Sequence, residues 1–178
     1  SISNTFVFSG LNKVGKSSLA RYFYEKLNYY YLSDNFLLHD KEQIYSFPEK
    51  ARLTGDAMDF YGLSQAGTAD VYGKKQILVP NDRVLKNIEL QKIYFVNNGE
   101  TLSVRQLDVH EYNNMITAAH RYLKEFSEYE YLSFLDVYSD IIGERKKSLI
   151  DESCLYYELT FPLNWDIEGV VERVTECL

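Results

Sequence analysis

Residues 10–17 read Gly-Leu-Asn-Lys-Val-Gly-Lys-Ser. These residue types at this spacing suit the binding of phosphate. Backbone N–H groups turned inward can hold an anion, and a helix that begins at such a loop adds the positive end of its dipole. Gly10 and Gly15 permit the backbone angles the loop requires. Lys16 can reach the β- and γ-phosphates as a mobile cation, and Ser17 can place its hydroxyl on Mg²⁺. Asn12, Val14 and Ser18 complete the segment that would line the ligand. Lys13 either adds positive charge beside the phosphates or faces solvent.

The loop needs a strand before it and a helix after it. Thr5 to Ser9 (Thr-Phe-Val-Phe-Ser) is a short apolar run ending at glycine and reads as a buried strand. Lys16 to Leu27 reads as a helix with Leu19, Ala20, Phe23 and Leu27 on one face, closed by Asn28. Further strands are expected at Tyr29 to Leu32, Gln76 to Val79, Tyr131 to Val137 and Tyr156 to Thr160. Helices are expected at Val84 to Phe95, at Val109 to Phe126, around Ser139 to Lys147 and at Asp166 to Leu178. Gly73 and Pro80 bracket the strand at Gln76, and Asn97-Asn98-Gly99 is a strong turn signal. Strands alternating with helices predict a parallel sheet covered by helices on both faces. No internal repeat or linker interrupts the pattern, so one α/β domain over residues 1–178 is the economical reading.

Composition narrows the function. A length of 178 residues with 46% hydrophobic content supports a true core. A net charge of −7 argues against a general nucleic-acid binder, while leaving room for a local basic pocket. No apolar run reaches the roughly 20 residues of a membrane span, and the opening residues read as a strand rather than a signal peptide. Cys154 and Cys177 fit neither a zinc pattern nor a disulfide framework, so they read as reduced thiols in a cytoplasmic protein. His39, His110 and His120 are scattered and predict no metal site. The sixteen tyrosines are first of all packing residues. Tyr45, Phe47, Phe60 and Tyr61 could alternatively stack on a base.

At Phe8-Ser-Gly-Leu-Asn-Lys-Val-Gly-Lys-Ser-Ser18 the sequence resembles the thymidylate kinase and deoxynucleoside kinase group of P-loop nucleotide kinases. Gln76 to Arg83 (Gln-Ile-Leu-Val-Pro-Asn-Asp-Arg) is similar to the acid–arginine pair that this group places after the strand beside the P-loop. Leu135-Asp136-Val137, followed by Gly143-Glu144-Arg145-Lys146-Lys147, looks like the group's strand, helix and Arg-rich lid. The resemblance implies a three-layer fold with five parallel strands in the order 2-3-1-4-5, and homodimerisation as a family-level expectation. It implies γ-phosphoryl transfer from ATP with Mg²⁺ to a small-molecule nucleotide or nucleoside. Lys16, Arg83 and Arg145 would stabilise developing charge. Ser17 and Asp82 would hold the metal, and Arg52 and Arg83 would meet the acceptor.

The sequence also departs from the group. No Arg-Glu-Pro-like segment follows the second strand. The helix before the third strand offers Gln65, Thr68 and Asp70 in place of an Asp-Arg pair, and the lid segment is short. The acceptor turns on one residue. A monophosphate is already ionised and needs cations, whereas a nucleoside hydroxyl wants a general base. Asp34 stands where the nucleoside kinases place that base. The cationic residues favour a deoxynucleoside monophosphate such as dTMP, with a nucleoside as the alternative. An NTP-hydrolysing switch or motor and a non-catalytic nucleotide-binding module stay open. No Asn-Lys-x-Asp motif is present to support a GTPase.

Overall fold

Five consecutive buried residues, 92–96, mark the strand around which the first sheet is built. A computed structural model describes residues 4–11, 13–33, 38–39, 43–45, 51–62, 75–77, 84–126 and 154–177, with the backbone alone at 38–39, 51–52, 75–77 and 120–126. In chain order the elements are β1 (Phe6–Gly10), α1 (Lys16–Lys26), β2 (Leu38–His39), β3 (Gln43–Tyr45), β4 (Ala51–Leu53), α2 (Gly55–Phe60), β5 (Lys75–Ile77), β6 (Asn87–Glu89), β7 (Lys92–Asn98), β8 (Ser103–Leu107), α3 (Val109–Phe126), β9 (Leu155–Phe161) and α4 (Ile167–Thr175). The chain divides into two compact units. One comprises Ser1–Val14, Asp40–Glu42 and Leu90–Asn164, the other Gly15–His39, Gln43–Glu89 and Trp165–Leu178.

The first unit holds a mixed, mostly parallel sheet in the order β1-β7-β9-β8. β7 runs parallel to β1 and β9, and β8 closes the edge antiparallel to β9. A parallel strand flanked on both sides must be apolar on both faces, which the Ile-Tyr-Phe-Val run of β7 supplies. On one face Ile93, Phe95, Leu107, Tyr156 and Cys154 are buried together with Tyr112 and Ala119 of α3, and Val109, Met115 and Ile116 pack against them. From Val109 to Ala119 the apolar stripe of α3 is therefore core. The opposite face carries aromatic rings: Tyr94 stacks on Tyr157 with centroids 5.1 Å apart, and Phe8 meets Tyr94 at 5.8 Å. Such pairs add about 0.5–1.5 kcal/mol each beyond their buried area, so these tyrosines act in packing.

α3 starts at a reciprocal cap. Asp108 Oδ1 accepts from the N–H groups of His110 and Glu111, both at 2.8 Å, while Glu111 Oε2 accepts from Asp108 N at 3.0 Å. Arg105 reaches across to Glu111 at 2.7 Å and Glu158 at 3.1 Å. Its hydrogen bond, with that from Asp108 N, holds the Glu111 carboxyl below the usual carboxylate range.

The second unit packs α1 against α4. Leu19 and Phe23 of α1 and Val170, Val171 and Val174 of α4 are buried. Asp166 caps α4, accepting from Glu168 N at 3.2 Å and Gly169 N at 3.1 Å. Asn28 closes α1 with φ 60°, the left-handed conformation that asparagine tolerates better than most residues. β2, β3 and β6 form a small antiparallel sheet, and β4 pairs antiparallel with β5.

Several expected elements hold: the first strand, α1, α3, β9 and α4. Others change. The helix expected at Val84 to Phe95 is instead β6 and the first part of β7, because β-branched and aromatic residues dominate from Ile93 onward. The strand expected at Tyr29 to Leu32 reduces to a single parallel bridge, Tyr31 with Val84. The sheet containing β1 has four described strands, three of them parallel and one antiparallel, and the five-stranded order 2-3-1-4-5 is not seen among the described residues. The strand expected at Tyr131 to Val137 and the helix around Ser139 to Lys147 lie outside the described residues. Among the described residues no helix is long and apolar enough to cross a membrane.

Leu159 is fully buried in the central sheet, whereas Leu163 is 80% exposed. Leu159→Ala should lower unfolding stability by about 2–5 kcal/mol and Leu163→Ala by less than about 0.5 kcal/mol, as measured by urea titration.

Candidate phosphate-binding site

The loop begins where β1 runs out of room. Gly10 pairs in register with Val96 and has φ 121°. A Cβ at this position would lie 2.4 Å from the Val96 carbonyl oxygen, closer than any side chain can sit. Gly10 is therefore set by both conformation and space, and the loop can start only at a glycine. Lys13 takes φ 64° and is exposed, while Val14 is buried. Beneath this first arm Tyr112 donates to Ser9 Oγ at 3.3 Å, and Ser9 Oγ donates to the Tyr94 carbonyl at 3.3 Å. This chain ties α3 to the end of β1. Burial raises the Tyr112 hydroxyl above its ordinary pKa, against a smaller lowering by Ser9, so it stays a donor.

The second arm opens at Gly15, in the second unit. Gly15 has φ 93° and takes the N-cap position of α1, so it offers no side chain to cap the helix. The first turn of α1 carries no acidic residue. α3 and α4 differ: each begins at an aspartate that accepts two N–H groups, with a glutamate in the first turn. An α-helix leaves its first N–H groups without intrahelical partners, and its N-terminus favours negative charge. At α1 the sequence supplies neither a capping side chain at Gly15 nor a first-turn acid. Lys16, Ser17 and Ser18 lie here, all half-buried.

Tyr61 follows α2 and donates to the Ser18 carbonyl at 2.7 Å. Burial pushes its hydroxyl far above the ordinary tyrosine value. Tyr61 thus fastens α2 to the first turn of α1. Phe60 beside it is 51% exposed, with its ring 5.0 Å from Tyr61 and 6.4 Å from Tyr22. Tyr45 is exposed as well, and Phe47 lies outside the described residues. One turn further along α1, Arg21 is 3% exposed. It pairs with Glu25 and sets its guanidinium 4.8 Å from the centre of the Tyr24 ring, leaving Nε and Nη1 without a hydrogen-bond partner among the described residues. The sequence pattern did not single out Arg21, because an arginine at this spacing reads as solvated.

The strand hydrogen-bonded to β1 is β7, and it ends in Asn97-Asn98. The segment expected in that place, Gln76 to Val79, contributes β5, which pairs antiparallel with β4. Asn97 and Asn98 carried only a turn signal in the sequence, although their position at the end of an apolar run was visible. Asn12, Asp34, Asp82, Arg83 and Arg145 lie outside the described residues, and Arg52 is described as β4 backbone alone. Among the described residues no cluster of three or more His, Cys, Asp or Glu side chains could hold a metal ion. Cys154 and Cys177 form no disulfide with each other.

No protein family, curated protein or solved structure matches this chain.

Gly10→Ala meets both a positive φ and a backbone clash. It should cost more than about 2 kcal/mol of stability, read as a lowered urea midpoint. Gly62→Ala shares a positive φ (63°) but has open space around it, and should cost about 1 kcal/mol.

Proposed function

We propose that Gly10–Ser18 binds the triphosphate of ATP. The observation that supports this reading is the helix start at Gly15, without capping side chain or first-turn acid, in a contiguous Gly10–Ser18 segment whose Gly10 the Val96 carbonyl prevents from being larger. Charge supports it. Lys13 and Lys16 place cations on the loop, and a hydrogen bond to a charged partner is about twice as strong as a neutral one.

The finer reading is ATP-dependent phosphoryl transfer to a deoxynucleoside monophosphate, on a P-loop kinase fold with the 2-3-1-4-5 sheet. In that reading Lys16 neutralises charge on the transferred group, Arg83 and Arg145 assist it, and Arg52 meets the acceptor phosphate. A nucleoside acceptor would instead require Asp34 as base. The strand–loop–helix order and the resemblance at Phe8 to Ser18 support this class.

A second reading has its own support: the protein binds nucleotide as a non-catalytic module or a slow NTPase. Mg²⁺ asks for hard oxygen ligands, usually one or two carboxylates beside phosphate oxygens. Where the resemblance places an acid after the strand beside the loop, β7 ends in two neutral amides. Asn97 Oδ1 already accepts from Asn98 N at 2.9 Å. At the end of that strand the described residues offer amide oxygens and no carboxylate. Ser17 is the described hydroxyl that the sequence assigns to the metal.

Product analysis by mass over a panel of nucleosides and nucleoside monophosphates separates the readings. Transfer predicts one phosphorylated acceptor and, in Lys16→Ala, a loss of turnover of about 100-fold or more. Unchanged turnover in Lys16→Ala would contradict a role for this loop. ATP bound without product across the panel would select the binding module.

A further inference from the structure

Asn98-Gly99 is the single Asn-Gly step in the chain, and no Asp-Gly step occurs. An asparagine before glycine carries its own reaction. The Gly99 nitrogen can attack Cγ of Asn98, because glycine brings no Cβ to block the approach and permits the backbone angles that ring closure needs. The new N–C bond closes a succinimide, the attacking nitrogen gives its proton to water, and ammonia leaves from Cγ. Water then opens the ring at either carbonyl and leaves aspartate or isoaspartate. Water is the only co-reactant.

The fold sets when this can happen. Asn98 is exposed, so water reaches it. It is also the last residue of β7 and pairs with Phe161 of β9. Ring closure turns the Gly99 nitrogen toward Cγ, away from the angles of a paired strand. That nitrogen is engaged: it donates to the Phe161 carbonyl at 3.0 Å. The turn beyond it is fastened to the same strand. A Cβ on Gly99 would stand 3.0 Å from Thr160 Cβ. Thr160 Oγ1 donates to the Thr101 carbonyl at 3.3 Å and lies 2.8 Å from Ser103 Oγ. All these groups belong to one compact unit.

We propose that Asn98-Gly99 is a site of self-modification, deamidation through a succinimide, gated by the Gly99–Phe161 hydrogen bond at the end of the β7–β9 pair. The product carries a new carboxylate and, as isoaspartate, an extra methylene in the backbone where β7 ends. The strand end cannot then close in its old register, so the change is a one-way record of opening. An isoaspartyl carboxyl methyltransferase is the partner whose chemistry recognises that product. The proposal does not depend on the nucleotide-binding reading.

The test ages the full chain at neutral pH, folded and in guanidinium chloride. Residue 98 is followed by peptide mass and by methyl transfer from labelled S-adenosylmethionine. The unfolded wild type should convert at Asn98 about tenfold or more faster than the folded protein, because the folded protein reacts only from its opened fraction. Thr160→Ala keeps Cβ and loses the hydroxyl that holds the turn; folded, it should convert about threefold faster than the folded wild type, with Gly99 amide hydrogen exchange faster by a similar factor. Asn98→Gln, which would have to close a larger ring, should stay unconverted in both states. Equal rates in folded and unfolded wild type would overturn the gating. Conversion of the unfolded chain at other asparagines in preference to Asn98 would overturn the site. A folded Thr160→Ala that converts no faster than the wild type would overturn the gate at this turn.

Discussion

The Val96 carbonyl oxygen stands where a side chain of residue 10 would have to be. The parallel pairing of β1 with β7 brings it there, and that pairing depends on a β7 buried on both faces. The close approach fixes the last residue of β1 as glycine and gives it a positive φ. The chain then turns out of the sheet through Lys13, also at positive φ, before Gly15 sets the start of α1. The glycine that ends β1 is thus a consequence of sheet packing. The Tyr112–Ser9–Tyr94 hydrogen bonds tie the same point to α3, so core and loop share one anchor.

The two arms of the candidate loop differ in what they offer. The first arm contributes backbone conformation and an exposed cation. The second contributes a helix start whose sequence differs from those of α3 and α4. Those helices meet their N–H groups with aspartate and add a glutamate in the first turn. α1 begins with Gly15, Lys16, Ser17 and Ser18, a set poor at capping and rich in positive charge and hydroxyls. Tyr61 holds that turn from the side through the Ser18 carbonyl and leaves the N–H end to other partners.

Much of this was legible in the sequence because it is local. The spacing Gly10 to Ser17, the helical stripe of Val109 to Phe126 and the aspartate before Ile167 each state their structure within a few residues. Strand order is not local, and there the sequence misled. Gln76 to Val79 and Lys92 to Asn98 are both short apolar runs, and nothing in either run says which will pair with β1. Lys92 to Asn98 pairs with β1, and residues 92–96 of it are buried. The described strand end beside β1 is therefore Asn97-Asn98, while Asp82-Arg83 lies outside the described residues. The tyrosines show the same limit. Tyr61 read equally well as a stacking ring or as core, and it became a hydrogen-bond donor to helix backbone because α2 packs beside α1.

The central claim is that ATP phosphates contact the loop. Backbone amide resonances of the ¹⁵N-labelled chain, followed while ATP is added, test it most directly. The account predicts large saturable shifts at Gly15, Lys16, Ser17 and Ser18, accompanied by Lys13, with little change at the capped start of α4 around Glu168 and Gly169. ATP that leaves the Gly15 to Ser18 amides unmoved, or that shifts residues elsewhere instead, would contradict it.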